Sequence, residues 1–301
     1  MSEKRTWPSA LNVRDAGLGR SGTVEPILDL CGNGVDNHIL LLKKKVYLRQ
    51  CNPPNQLFGF GGQGVKLKTW GQTDWVKFKD SFLKCARAWH KRFVLVPPDD
   101  ESDLKYKDGN VFHRLYYMPN VECHLDVSLV NASDDPHDTV DVGSVDAGSS
   151  FRSDQQTLTD QDVGDGGITK QIFTDEARND GVIMKFCVLA HEFGHMLGQP
   201  HIGVLKNSLE CQDALAGKVP AGREYYFRDG SNSGVCYGWT GNTEDLSNLR
   251  NIMGGGNNFE EVNAGPWKNA LATLLQKPNN KLPQEWKVIV TPNYKSPRQL
   301  S

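Results

Sequence analysis

The sequence predicts an α+β fold, and three observations carry that expectation. Short alternating runs such as Lys44-Lys-Val-Tyr-Leu-Arg49 read as strands. Trp75, Phe78, Phe82, Cys85 and Trp89 recur at spacings of three and four, which marks an amphipathic helix of about four turns. Thirty glycines and 15 prolines in 301 residues call for many turns and long loops between such elements.

Taken in order, residues 1–42 contain many Gly, Asn and Asp without a sustained period and read as a mostly irregular arm. The strand at 44–49 follows, then the aromatic helix with Thr73 as its N-cap, then Phe93-Val-Leu-Val96, a strand stopped by Pro97-Pro98. Strand, helix, strand suggests a crossover unit whose helix covers a sheet face. Val111 to Met118 and Val121 to Val130 flank Pro119-Asn120 as a hairpin. In its second strand Glu122, His124 and Asp126 share the polar, solvated face. Residues 131–168 are acidic and rich in Gly and Ser, and read as a long loop with a short edge strand around Ser149–Thr157. A mostly apolar helix is expected to begin between Thr174 and Asp180 and to run to Leu197, with Ile183, Cys187, His191 and His195 on one stripe. Gly265-Pro266-Trp267 opens a late helix that reaches Leu275, and Trp286 to Val290 form a last strand. The division this suggests is an arm (1–42), an N-terminal part (43–198) and a C-terminal part (199–301).

Charge excludes one function class. The net charge is −2, without the basic excess of a general nucleic-acid binder. Charge is unevenly spread, with 18 Lys and Arg against 12 Asp and Glu in residues 1–110, and 5 against 14 in residues 111–190. The acidic middle, Asp134 to Asp165, reads as solvated loops. Ca2+ is the alternative there, although Asp160-Gln-Asp162-Val-Gly164-Asp165 misses the EF-hand order. No run approaches the roughly 20 apolar residues of a membrane span. MSEKRTWPSA lacks the apolar core of a signal peptide. Seven scattered cysteines without a CxxC pair argue against a dense disulfide framework. One bridge, Cys211–Cys236, is the pairing to consider in an oxidising compartment.

Chemistry concentrates in HEFGHMLGQPH, His191 to His201. Two histidines four apart project from one helical face and can meet one Zn2+ ion, with Glu192 beside it as general base. Gly198 lets the chain leave the helix and bring His201 round as third ligand. Three protein ligands leave a position for water, the mark of a catalytic rather than a structural zinc site.

These residues resemble the HExxHxxGxxH signature of the metzincin clan of zinc metallopeptidases, and the local wording HEFGHMLG is similar to the matrixins. Asn251-Ile-Met253-Gly254 resembles the clan's methionine turn, which makes Met253 the residue expected beneath the metal. The resemblance implies a twisted mixed sheet with backing and active-site helices above a cleft, and a smaller irregular C-terminal subdomain. His201 and Met253 are 52 residues apart, longer than in matrixins, which implies an insertion at about 203–248. Glu210, Asp213 and Glu224 within it are rivals to His201. Gly255 stands where some metzincins carry a tyrosine, leaving Tyr225, Tyr226 or Tyr237 as substitutes. Cys31, in the arm, is a candidate latency thiolate beside the plainer reading of a small cysteine in a turn.

The activity implied is a zinc-dependent endopeptidase acting on peptide or protein substrates. A zinc hydrolase of a non-peptide or cell-wall amide and a non-catalytic metal-containing binding protein are the alternatives. A broad endopeptidase without an export signal would threaten its producer. Export by a specialised route as an effector or toxin, with an inhibitor or immunity protein as partner, is the corresponding expectation.

Overall fold

The computed structural model describes residues 3–6, 11–12, 22–30, 37–58, 64–98, 101, 104, 119–147, 153–163, 169–175, 180–199, 204–205, 236–237, 251–254, 256–283 and 285–291. Its strands are β1 (Glu3–Thr6), β2 (Leu11–Asn12), β3 (Thr23–Leu30), β4 (His38–Cys51), β5 (Gln56–Phe58), β6 (Gly64–Lys68), β7 (Phe93–Val96), β8 (Val121–Leu129), β9 (Asp138–Val145), β10 (Thr157–Thr159), β11 (Thr169–Asp175), β12 (Asp180–Phe186), β13 (Val204–Leu205), β14 (Cys236–Tyr237) and β15 (Lys287–Val290). The α-helices are α1 (Gln72–Ala86), α2 (Val188–Met196) and α3 (Gly265–Leu274). A large mixed sheet with few helices agrees with the α+β expectation.

Among the described residues the sheet has 11 strands, and its main path runs β15-β7-β8-β4-β9-β6-β5. β4 is its axis. It pairs in parallel with β8 over His38–Val46 and with β9 over Val46–Cys51, and antiparallel with β3 over Ile39–Lys43. Along β4 every second residue is buried, from His38 through Leu40, Leu42, Lys44 and Val46 to Leu48. That period of two sends one face into the core and leaves the other partly open. Phe78, Phe82 and Cys85 of α1, Leu189, Phe193 and Met196 of α2, and Trp267 and Leu271 of α3 belong to the same apolar cluster as that inward face.

The strand-and-helix expectations hold in outline, with five corrections. The arm is not mostly irregular. Its β3 lies in the sheet, with Glu25 to Asp29 paired to β4 and with β1 and β2 on its other edge. The crossover does not close on β7, which runs antiparallel to β8; it closes on β8, β4's parallel neighbour. Residues 131–168 are not one loop, since β9 sits inside the sheet. Its acidic residues find cations on β4: Arg49 makes a two-point contact with Asp141 at 2.5 and 2.7 Å, and Lys44 pairs with Asp138. The short edge strand expected around 149–157 lies at Thr157–Thr159, where it is buried and pairs in parallel with β9 alone among the described strands; residues 148–152 lie outside the described residues. Finally, α2 starts at Val188, and where its first turns were expected β12 pairs antiparallel with β11. Ile183 therefore belongs to a strand, not to the histidine stripe.

α1 begins one turn boundary earlier than expected, with Gly71 rather than Thr73 at the N-cap. α3 carries Pro266 in its first turn as expected, and β15 pairs with β7. Val121–Leu129 is a strand with Glu122 and His124 half-buried and Asp126 exposed; its proposed hairpin partner, 111–118, lies outside the described residues. Among the described residues no helix is long and apolar enough to cross a membrane.

Lys44 is the strand's exception to apolar burial. Its side chain is fully buried and its ammonium donates to the carbonyls of Thr23 and Met196, each at 2.7 Å, while pairing with Asp138. Burial lowers the Lys44 pKa against the opposing pull of Asp138, and burial raises that of Asp138. The ammonium holds the last turn of α2 to the sheet, where carbonyls carry the helix's partial negative charge. Lys44→Met is expected to destabilise the fold by about 3 kcal/mol in urea denaturation, because the carbonyls and carboxylate lose their donor. The loss should overlap with that of Asp138→Asn, so that the double variant falls short of the sum.

Candidate metal centre

α2 presents the first part of the motif. His191, Glu192 and His195 are 4%, 8% and 1% exposed, so all three act from inside the protein. The two imidazole rings lie 4.8 Å apart between centroids at 89° to each other. The helical spacing of four thus places them as neighbours on one face, as the sequence requires.

Each ring is set by a backbone carbonyl. His191 Nδ1 donates to the carbonyl of Ile252 at 2.7 Å, and His195 Nδ1 donates to that of Gln199 at 2.6 Å. A carbonyl oxygen can only accept, so Nδ1 carries a proton in both rings, and in the neutral form of each the lone pair is on Nε2. Zinc takes a neutral imidazole nitrogen with its other N–H tied to such an acceptor. The donor chemistry of the two described histidines therefore fits the metal that the motif implies.

The acceptor for His195 depends on how the helix ends. Gln199 N–H donates to the Gly194 carbonyl and Gly198 N–H to that of His195, both at 2.9 Å, with Gly198 at φ 86°. This pair of bonds is a Schellman turn, and its left-handed residue favours glycine. Gly198 thus closes the helix and brings the Gln199 carbonyl to His195.

The acceptor for His191 comes from the methionine segment. Ile252 precedes Met253, which is fully buried. A Cβ placed on Gly194 would collide with Met253 Sδ and meet Trp89 Cζ2 at 2.6 Å. The thioether therefore lies directly against the helix between the two histidines, and only a glycine at 194 admits it. Asn251 shapes this segment. Its Oδ1 accepts from the Met253 N–H at 2.8 Å, its carbonyl accepts from the Gly254 N–H at 2.9 Å, and its amide exchanges bonds with Asn263 at 3.0 and 3.2 Å. At the other end of α2, Asn257 Oδ1 accepts from the Cys187 N–H at 2.9 Å, and Trp89 Nε1 donates to the Ala190 carbonyl at 2.9 Å.

The structure thus brings together His191, Glu192, His195 and Met253. His201 lies outside the described residues, as do Glu210, Asp213, Glu224, Tyr225, Tyr226, Gly255, Cys31 and Cys211; Cys236 and Tyr237 are described as strand backbone only. Among the described residues no group of three or more His, Cys, Asp or Glu side chains gathers to hold a metal. The Glu122–His124 pair, at 3.1 Å, sits on the strand β8 and is held below the usual carboxylate range at Glu122, first by that contact. Sequence reasoning missed Asn251, Asn257, Trp89 and Lys44. Lys44 was signalled by its parity on a buried alternation; the other three make contacts between distant segments that no local pattern marks.

No protein-family model, curated protein or solved structure matches the chain.

Gly194→Ala tests the packing of the methionine segment. Since the added methyl group meets Met253 and Trp89, it is expected to destabilise the protein by about 1–3 kcal/mol despite alanine's better helix propensity. A melting temperature equal to or above that of the parent would contradict the described contact.

Proposed function

We propose that the chain is a zinc-dependent endopeptidase of metzincin type, with His191, His195 and His201 as metal ligands and Glu192 as general base. The observation that carries this reading is the pair of Nδ1-to-carbonyl bonds on His191 and His195. Two buried histidines four apart on a helix are compatible with plain core packing. Both rings tied at Nδ1, with a glutamate beside the first and a methionine packed beneath, form a set that packing alone does not call for.

A zinc ion held by these histidines supplies a Lewis acid for the scissile carbonyl and a water of lowered pKa. The chain's own part is orientation and proton transfer. The Ile252 and Gln199 carbonyls hold the two rings in one tautomer, and Met253 supports the helix between them. Glu192 takes a proton on its carboxylate from the attacking water and returns it to the leaving amine. Burial of the helix keeps bulk water from competing for those contacts.

Three experiments test the reading. Glu192→Ala should retain zinc, measured by metal analysis of the purified protein, while kcat for cleavage of an unfolded protein substrate falls by about 10²–10⁴-fold; undiminished turnover rejects the mechanism. Removal of metal by chelator should abolish cleavage and added zinc should restore it. In parallel, His201→Ala should lose zinc, whereas Glu210→Ala, Asp213→Ala and Glu224→Ala should keep it. Zinc retained in His201→Ala and lost in one of the other three would reassign the third ligand.

A further inference from the structure

Cys85 and Cys187 are buried in the core, and the mechanism uses neither side chain. Cys85 is in the last turn of α1, and Cys187 is the N-cap residue of α2. They are 102 residues apart in sequence, yet their sulfurs are 3.2 Å apart and the residues are 0% and 1% exposed. We propose that these two cysteines form a disulfide that staples α1 to the N-terminus of the histidine helix.

Geometry supports the closure. An S–S bond is about 2.05 Å long, so the sulfurs need approach by only about 1.2 Å, within the reach of small side-chain rotations. The helices already touch at this level, with Phe82 and Phe193 in an edge contact at 6.0 Å. The joint matters to the site, since the Cys187 carbonyl accepts from the His191 N–H at 3.0 Å and its N–H is bound by Asn257. The proposal concerns two cysteines and does not depend on the reading of the metal site.

The bond forms by thiol–disulfide exchange, which can start from either cysteine as its thiolate, here Cys187. Cys187 displaces one thiolate from a small disulfide such as oxidised glutathione, giving a mixed disulfide. Cys85 then attacks the Cys187 sulfur, and the second glutathione leaves. Two electrons pass from the cysteine sulfurs to the glutathione disulfide, which becomes two thiols with the two protons released. Because both sulfurs are enclosed, exchange takes place while the α1–α2 contact is open, during folding or local unfolding. The bond would persist in an oxidising compartment and be absent in a reducing one.

The test uses the full-length chain, first reduced and then exposed to oxidised glutathione, both as purified and in urea just short of the unfolding midpoint, where the contact opens. Remaining thiols are alkylated in denaturant without reduction, and the digest is mapped by mass spectrometry. The expected result is one linked peptide pair joining Cys85 to Cys187, with Cys123 alkylated. The oxidised chain should melt about 10 °C above the reduced one, as closure of so long a loop implies. Cys85→Ser and Cys187→Ser should each abolish that reductant-dependent difference. Alkylation of both cysteines after treatment in urea, or linkage of either to another cysteine, would overturn the proposal. The map needs only the unaltered chain, so it decides the matter even if a variant fails to fold.

Discussion

The Lys44 ammonium, closed inside the sheet's helix-facing side, ties together parts of the chain that are otherwise far apart. It binds the start of β3 through Thr23, the start of β9 through Asp138, and the end of α2 through Met196. A buried cation requires partners, because desolvation without them is expensive. Three partners from three segments therefore make one cooperative unit of the sheet and the helix end. Gly22, just before β3, packs directly against Leu197 and Gly198, so the same strand start also abuts the Schellman turn. Residues assigned by sequence to an arm are in this way part of the platform under the histidines.

The histidine geometry depends on that platform at one end and on the Asn251–Asn263 segment at the other. The His195 acceptor comes from the helix's own reversal, which Lys44 and Gly22 brace. The His191 acceptor comes from a segment about sixty residues later, held in shape by two asparagines that satisfy each other inside the core. Buried amides are costly unless fully bonded, and here the pair bonds each other and the backbone of Met253 and Glu260. Rigid carbonyls then fix which ring nitrogen keeps the lone pair. From Thr23 to Leu30, β3 also carries the chain roughly 23 Å away from the end of α2 before Cys31 is reached, so a latency role for that thiol would require the following residues to return over that length.

Legibility followed the range of the interactions. The α1 stripe, the late helix with Pro266, and β7, β8 and β15 were readable because hydrophobic period and Pro or Gly punctuation are local. β9 was misread because Asp138 and Asp141 make it look solvated; only their pairing with Lys44 and Arg49 of β4 makes an acidic strand stable there. The start of α2 was misread for a related reason. An apolar run of mixed period over 182–197 suits a helix, but β11 offers 180–186 a full antiparallel ladder, and pairing outweighs propensity. Of the site, His191, Glu192, His195 and Gly198 could be named in advance from spacing and residue type, and Met253 from the resemblance of its segment to a methionine turn. Gly194, Trp89, Asn251 and Asn257 could not.

The sequence by itself determined which side chains share the helix face, that a glycine must follow the helix, and which methionine is available to lie beneath it. The first two are consequences of 3.6-residue periodicity and of the backbone freedom of glycine, properties that act within a few residues, whereas Met253 is marked only by the resemblance of its segment to a methionine turn. Only the tertiary structure decided that both histidines hold their proton on Nδ1, that Met253 touches Gly194, and that a lysine on β4 anchors the helix. Each of those depends on a contact spanning tens of residues or more, or on the closing bonds of a turn. Such contacts form because buried polar groups must find partners wherever the fold places them.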